Sequence, residues 1–189
     1  MRVGVLASGG GTILQSMLDR ALPVVVVLSD RPCGALEIAE RAGVATELVE
    51  RDSFGAGFDR LAYTHRVVDA LAAHAVDLVA MAGFMTVLDK PVFDAYQGRI
   101  LNTHPSLLPA FRGAHAVVDA LGAGVKVTGC TVHVATVEVD DGPIVAQEAV
   151  AVVDGDTTES LHERIKEVER RLYPDVLARV VSGALELPR

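Results

Sequence analysis

Positive charge is scarce in this chain and nowhere clustered: 17 Lys and Arg stand against 25 Asp and Glu, a net charge of −8. A nucleic-acid binder shows a basic face, so no nucleic acid is expected as a partner. The acidic balance leaves a phosphorylated small molecule open, because backbone N–H groups hold phosphate without net positive charge. Apolar runs are short as well. Residues 24–28 are among the longest, far below the ~20 residues of a membrane span, so no membrane partner is expected. The stretch Met1-Arg2-Val3-Gly4-Val5-Leu6-Ala7 lacks a long apolar region followed by a cleavage site. It reads as a first strand rather than a signal peptide, and the expected location is the cytoplasm. Cysteine is limited to Cys33 and Cys130, far apart and without metal-ligand spacing. They read as two reduced thiols, with no metal site and no disulfide. Repeats, linkers and low-complexity segments are absent too, which makes one domain of the 189 residues. With 50% hydrophobic and 22% charged residues, the chain has enough apolar surface to fold.

What is present is an alternation of strand and helix signals. Residues 3–7 form a nearly unbroken apolar run, as in a strand covered on both faces. Ser8-Gly9-Gly10-Gly11-Thr12 follows, and Ile13-Leu14-Gln15-Ser16-Met17-Leu18 has helical spacing. Strand, glycine turn and helix together present free N–H groups to an anion. The pattern is neither G-x-G-x-x-G nor a Walker loop, and an ordinary tight turn explains it equally well. A second strand is expected over residues 23–28, a helix over 35–42 stopped by Gly43, and a third strand over 44–49. A longer helical pattern runs from Phe54 to His74, and a fourth strand over 77–82 ends at Gly83-Phe84-Met85. This order predicts an α/β, three-layer Rossmann-like domain, with a mostly parallel twisted sheet and helices on both faces. Ligands bind such sheets at the carboxyl ends of the strands. Further on, the pattern predicts a short helical connection over 87–96, a fifth strand over 99–102 and a helix over 114–123. Strands over 127–134 and 144–152 make an antiparallel C-terminal part. A final helix opens with an N-cap near Asp156-Thr157-Thr158-Glu159 and runs towards Val180.

Several catalytic layouts are missing: no Gly-x-Ser-x-Gly, no His-Glu-x-x-His, no Cys pair near a His. What remains is Asn102 and His104 at the end of the fifth strand, and an acidic loop over 135–143. Two residues apart on an extended backbone, Asn102 and His104 leave from the same face. An amide can donate to the oxyanion of a tetrahedral intermediate. Imidazole can take a proton from an attacking amine and give one to a leaving nitrogen. A carboxylate beside an imidazole orients it and favours its protonated form. The set suits transfer of an acyl group to an amine, although Asp140 could equally cap a turn. His133 lies in an apolar strand pattern, either as a hydrogen-bonded core residue or as a partner of the site. His65, His74, His115 and His162 have no supporting context and are expected at the surface.

Asn102-x-His104-Pro105-Ser106-Leu107-Leu108-Pro109 and Val139-Asp140-x-Gly142-Pro143 resemble the signature of the 10-formyltetrahydrofolate-dependent formyltransferases. The likeness covers essentially the whole chain. It includes Val5-Leu6-Ala7-Ser8-Gly9-x-Gly11, Ala82-Gly83-Phe84-Met85 and Glu169-x-x-x-Tyr173-Pro174. Within the family it points to the branch acting on 5′-phosphoribosylglycinamide in de novo purine biosynthesis. The resemblance implies 10-formyltetrahydrofolate as co-substrate and no metal. It implies that Asn102 polarises the formyl oxygen, His104 manages proton transfer and Asp140 holds His104. Asp140 is preferred to Asp141 by its place in the motif, although relatives carry Gly-Gly-Pro where this chain has Asp141-Gly142-Pro143. Gly11, Thr12 and Ile13 are implied to hold the phosphate of the ribonucleotide, and Lys166, Glu167, Val168 and Glu169 the rest of it. Relatives carry Gly-Asn-Gly-Ser-Asn in the first loop; backbone contacts survive the change, and the Asn side chain at position 13 is lost. Folate contacts are implied for Arg60, for Met85, Thr86, Val87 and Leu88, for Asn102, and for Thr136, Val137, Glu138, Val139 and Asp140. Residues 1–100 are then the nucleotide- and phosphate-binding half and 101–189 the catalytic and folate-binding half.

Two other functions compete. A formyltetrahydrofolate deformylase would pass the same formyl group to water, but it typically carries His-His-Ser where this chain has His104-Pro105-Ser106. A non-catalytic folate- or nucleotide-binding module would lack Asn102, His104 or Asp140, and all three are present. Methionyl-tRNA formyl transfer is disfavoured by length and charge. A monomer or a homodimer is expected.

Overall fold

The computed structural model describes residues 1–51, 53, 55 and 57–188. Phe54, where the longer helical pattern was expected to begin, lies outside them. Seven strands and six helices alternate among the described residues: β1 (Val3–Leu6), α1 (Thr12–Asp19), β2 (Val24–Ser29), α2 (Gly34–Arg41), β3 (Ala45–Leu48), α3 (Arg60–Ala73), β4 (Leu78–Met81), α4 (Lys90–Ala95), β5 (Ile100–His104), α5 (Ala116–Gly122), β6 (Val127–Val134), β7 (Ile144–Ala151) and α6 (Thr158–Val181). The strands follow the order β3-β2-β1-β4-β5-β6-β7. β1 pairs in parallel with β2 and β4, β2 in parallel with β3, and β6 antiparallel with β7. This is the α/β architecture expected from the sequence, mostly parallel with an antiparallel C-terminal part. No helix among the described residues is long and apolar enough to cross a membrane.

By contacts the chain divides into two compact units, residues 1–101 and 102–189. In the first, β1 is buried at every position, as its apolar run requires. The glycine turn leads into α1 through Gly11, whose φ of 78° lies in the left-handed region. A Cβ on Gly11 would sit 2.7 Å from the Ala35 Cα, so α2 packs against this turn only because the side chain is absent. The observed α3 starts at Arg60, later than the apolar spacing suggested. Asp59 ends the preceding irregular stretch by accepting a 2.9 Å hydrogen bond from the Ala62 N–H, which satisfies one of the helix's orphan donors.

In the second unit β6 is buried from Thr128 to Val134. The 24-residue α6 is opened by a capping box in which Thr157 accepts from Ser160 N and Ser160 from Thr157 N. Its buried stripe runs Leu161, Ile165, Glu169, Tyr173 and Leu177, four residues apart, as one helix face demands. Leu161 and Ile165 pack with Val117, Cys130 and Val150. Each such side chain contributes roughly 1.5–3 kcal/mol by leaving water. The one acidic residue in the stripe, Glu169, has no counterpart in that apolar logic.

Candidate active site

The strand that carries Asn102 and His104 extends through His104 itself, two residues beyond its apolar pattern. Thr103 and His104 are only 9% and 5% exposed. They stay buried because their own side-chain polar atoms find partners, which an apolarity pattern does not register. After the strand, the prolines turn the chain and Thr131 holds the turn. Its hydroxyl donates to the Ser106 carbonyl at 2.7 Å and accepts from the Leu108 N–H at 3.0 Å. Gln147 Nε2 donates to the Leu108 carbonyl at 2.9 Å.

His104 is fixed at both ring nitrogens. Nδ1 lies 3.3 Å from Asp140 Oδ2, and Nε2 donates to the Phe111 carbonyl at 2.8 Å. The same short loop reaches the carboxylate, since Gly113 N–H donates to Asp140 Oδ2 at 2.9 Å. Asp140 adopts φ 55°, a left-handed conformation that Asp tolerates better than most residues. Burial alone would push its carboxyl up. The Gly113 N–H and the His104 imidazole hold it below the ordinary carboxylate range. Asp141, one residue on, pairs instead with Arg112 at the surface, with both side chains nearly half exposed. The carboxylate against the imidazole is therefore that of Asp140.

Gly142 makes this loop possible. A Cβ there would come within 1.8 Å of the Val134 carbonyl oxygen, so the Asp140-x-Gly142-Pro143 spacing is a steric requirement of the return into β7.

His133 is the residue that sequence reasoning left undecided. It is 1% exposed, its Nδ1–H donates to the Val134 carbonyl at 3.1 Å, and its Nε2 accepts from Asn102 Nδ2 at 3.2 Å. That fixes which side of the Asn102 amide carries the donors and leaves the second Nδ2 proton uncommitted to His133. Asp140 Oδ1 lies 3.6 Å from His133 Nε2, too far for a hydrogen bond. The only signal in the sequence was a histidine alternating with apolar residues, which a core histidine shares.

Other expected residues fall as follows. In the first unit, Gly11 caps α1 without any side-chain bond, and no acidic residue stands in its first turn. Thr12 and Ile13 are the first two helical residues, the former exposed. Arg60 is exposed at the start of α3. After β4, Met85 and Val87 are exposed, whereas Thr86 and Leu88 point inward and are buried. Thr86 donates to Asp30 Oδ2 at 2.7 Å, and Ser8 Oγ accepts from the Met85 N–H at 2.9 Å. Buried Asp30 would be pushed up by desolvation, but Arg31, Thr86 and Ser8 bring it below the ordinary range. Asp30 and Ser8 were not anticipated; the signal available was an acidic residue directly after a strand that ends in Ser29.

In the second unit, Val137, Glu138 and Val139 are exposed, and the Thr136 hydroxyl donates to the Glu138 carbonyl at 3.0 Å, which shapes the loop. Of the four α6 residues, Glu167 faces solvent, Val168 packs against the apolar cluster, Lys166 is half-buried beside Glu163, and Glu169 is buried.

An amide donor, an imidazole locked to a carboxylate and a glycine-dependent loop thus occupy one side of a strand, an arrangement fit for acyl transfer. Comparison with known proteins agrees in kind. The Formyl transferase family matches residues 1–177. Phosphoribosylglycinamide formyltransferase of Mycobacterium tuberculosis (strain ATCC 25618 / H37Rv) is 48% identical over 186 residues, covering 96% of this chain and 85% of that protein. The Bacillus subtilis (strain 168) protein of the same name is 34% identical over 188 residues, covering 96% and 95%. Among solved structures, glycinamide ribonucleotide transformylase 1 from Symbiobacterium toebii superposes with a TM-score of 0.92 at 45% identity, covering 100% of this chain and 91% of that one. The matched residues include β5 and the loop that carries Asp140, and the chain belongs to the formyl transferase family.

Proposed function

We propose that this chain transfers the formyl group of 10-formyltetrahydrofolate to the amine of 5′-phosphoribosylglycinamide, in de novo purine biosynthesis. The observation that carries the reading is the pairing of His104 Nδ1 with Asp140 Oδ2 at 3.3 Å, with Asn102 leaving the same face of β5. The amine nitrogen attacks the formyl carbon, and the carbonyl oxygen becomes an oxyanion that the uncommitted Nδ2 proton of Asn102 can meet. The attacking nitrogen then sheds a proton and N10 of the folate gains one as its bond to the formyl carbon breaks. His104 moves the proton through Nε2, since Asp140 holds Nδ1. The 2.8 Å contact from Nε2 to the Phe111 carbonyl has to open for that step.

Support for a phosphate contact comes, in the first unit, from the uncapped N-terminus of α1, whose N–H groups suit a phosphate; support for a ribonucleotide contact in the second unit comes separately from buried Glu169 on α6. Support for the folate site comes from the exposed apolar side chains Met85 and Val87, and separately from Val137 and Val139. The enzyme acts on small molecules, within a single formyltransferase domain.

The test is a product assay on the wild-type chain and on His104→Ala. Formylated glycinamide ribonucleotide with wild type, and a loss of about 10³-fold with the folded variant, are expected. Formate as the sole product would make the protein a deformylase. Near-normal turnover by the variant would refute the mechanism.

A further inference from the structure

β5 has a second side. Asn102 and His104 leave the strand one way, so Thr103 leaves the other, towards α6. Its hydroxyl donates to Glu169 Oε1 at 3.1 Å. A carboxylate only accepts, and the Thr103 oxygen is then left to accept in turn. The thiol of Cys130, 3.3 Å away, is placed to supply that donor.

Glu169 is only 6% exposed, and the cations nearest it on α6 are engaged elsewhere. Lys166 Nζ lies 3.6 Å from Glu163 Oε2, and Arg170 Nη2 donates to Glu163 Oε1 at 3.0 Å. Among the described residues Thr103 is the one hydrogen-bond partner of this carboxylate, and Oε2 has none. A buried carboxylate so weakly held is costly as a piece of core. It makes chemical sense where a ligand brings the missing donors. Threonine is a stiff side chain at χ1, so a hydroxyl anchored in a central strand fixes the position of Oε1 and with it the direction in which Oε2 faces.

We propose that Thr103 is a positioning residue for the ribonucleotide: it aims Glu169, while its two neighbours on the strand handle the formyl group. This rests on the reading that Glu169 meets the ribonucleotide. One strand then serves both substrates, Asn102 and His104 on one face and Thr103 through Glu169 on the other. The chemistry requires no covalent or redox step at Thr103 or Cys130.

The test is steady-state kinetics of the whole chain, with phosphoribosylglycinamide and 10-formyltetrahydrofolate each varied in turn at saturating levels of the other, for Thr103→Val, Thr103→Ala, Thr103→Ser and Glu169→Ala. Loss of a hydrogen bond to a charged group predicts a rise of about tenfold in KM for the ribonucleotide in the Val and Ala variants. Their kcat should stay within about twofold and the KM for the folate should not move. Serine keeps the hydroxyl and should restore KM. Should Thr103→Val fail to fold, Thr103→Ala carries the same readout. An unchanged KM in both, a loss confined to kcat, or a serine variant as impaired as alanine would overturn the proposal. If Glu169→Ala raises KM while Thr103→Val and Thr103→Ala do not, only the role of Thr103 falls. If Glu169→Ala leaves KM unchanged, the placement of the ribonucleotide beside Glu169 falls with it.

Discussion

Asp140 and Glu169 are two buried carboxylates reached from opposite faces of β5, and they are held in opposite ways. Asp140 meets the Gly113 backbone N–H and the His104 imidazole, and the sum draws its carboxyl below the ordinary range in spite of burial. Glu169 meets one hydroxyl. Burial dominates there, and Thr103, Lys166 and Arg170 only partly offset it, so its carboxyl is pushed up. A carboxylate that must stay charged to orient an imidazole is surrounded by donors. A carboxylate left short of donors is suited to receiving them from a ligand. Glu169 is also the more deeply buried of the two, so burial and partners act in the same direction.

The comparison can be broken most severely on the Asp140 side. Asp140→Ala is expected to lower kcat by about 10²–10⁴-fold, because His104 loses its orienting partner, while circular dichroism shows an intact fold. Turnover within tenfold of wild type would mean that the pairing does not serve the reaction. Gly142→Ala should come next. Its added Cβ cannot coexist with the Val134 carbonyl oxygen 1.8 Å away, so the loop must shift. Activity should fall at least tenfold, along with a stability loss of about 1–3 kcal/mol in urea unfolding.

Opposite pKa directions give opposite dependence of stability on pH. The folded value of Asp140 lies below the ordinary value of 3.8. Its contribution is therefore present above that pH and lost as pH falls through the folded value. The folded value of Glu169 lies above the ordinary value of 4.5. Its contribution is complete below that pH and lost as pH rises through the folded value. Urea midpoints against pH should thus show the wild-type advantage over Asp140→Asn shrinking on the acid side. Any advantage over Glu169→Gln should shrink on the alkaline side, and curves that move together would end the contrast. The smallest effect is expected for Asp141→Asn, which removes only an exposed pairing with Arg112. A change below about 1 kcal/mol in stability and twofold in kcat would confirm that one residue along the loop separates the working carboxylate from a surface one.

Much of the architecture could be read from apolar spacing, because β1, β2 and β4 are buried and their residues say so. The ends were harder. α3 begins where Asp59 caps it, a hydrogen bond rather than a hydrophobic boundary. β5 continues through Thr103 and His104 because their polar atoms are paired inside. Asn102, His104 and Asp140 stood out through their motif, whereas His133 and Thr103 had no motif at all. Their parts depend on neighbours some thirty and sixty-six residues away along the chain.

The sequence by itself determined the alternation of strands and helices, the glycine turn before α1 and the Asn102, His104 and Asp140 set. Each of these is written in local periodicity or in short spacing. The tertiary structure decided that Asp140 rather than Asp141 meets His104, that His133 orients the Asn102 amide, and that Thr103 holds Glu169. Those outcomes depend on which buried donor reaches which acceptor. Hydrogen-bond geometry across separate strands and a helix sets that, and no local pattern encodes it.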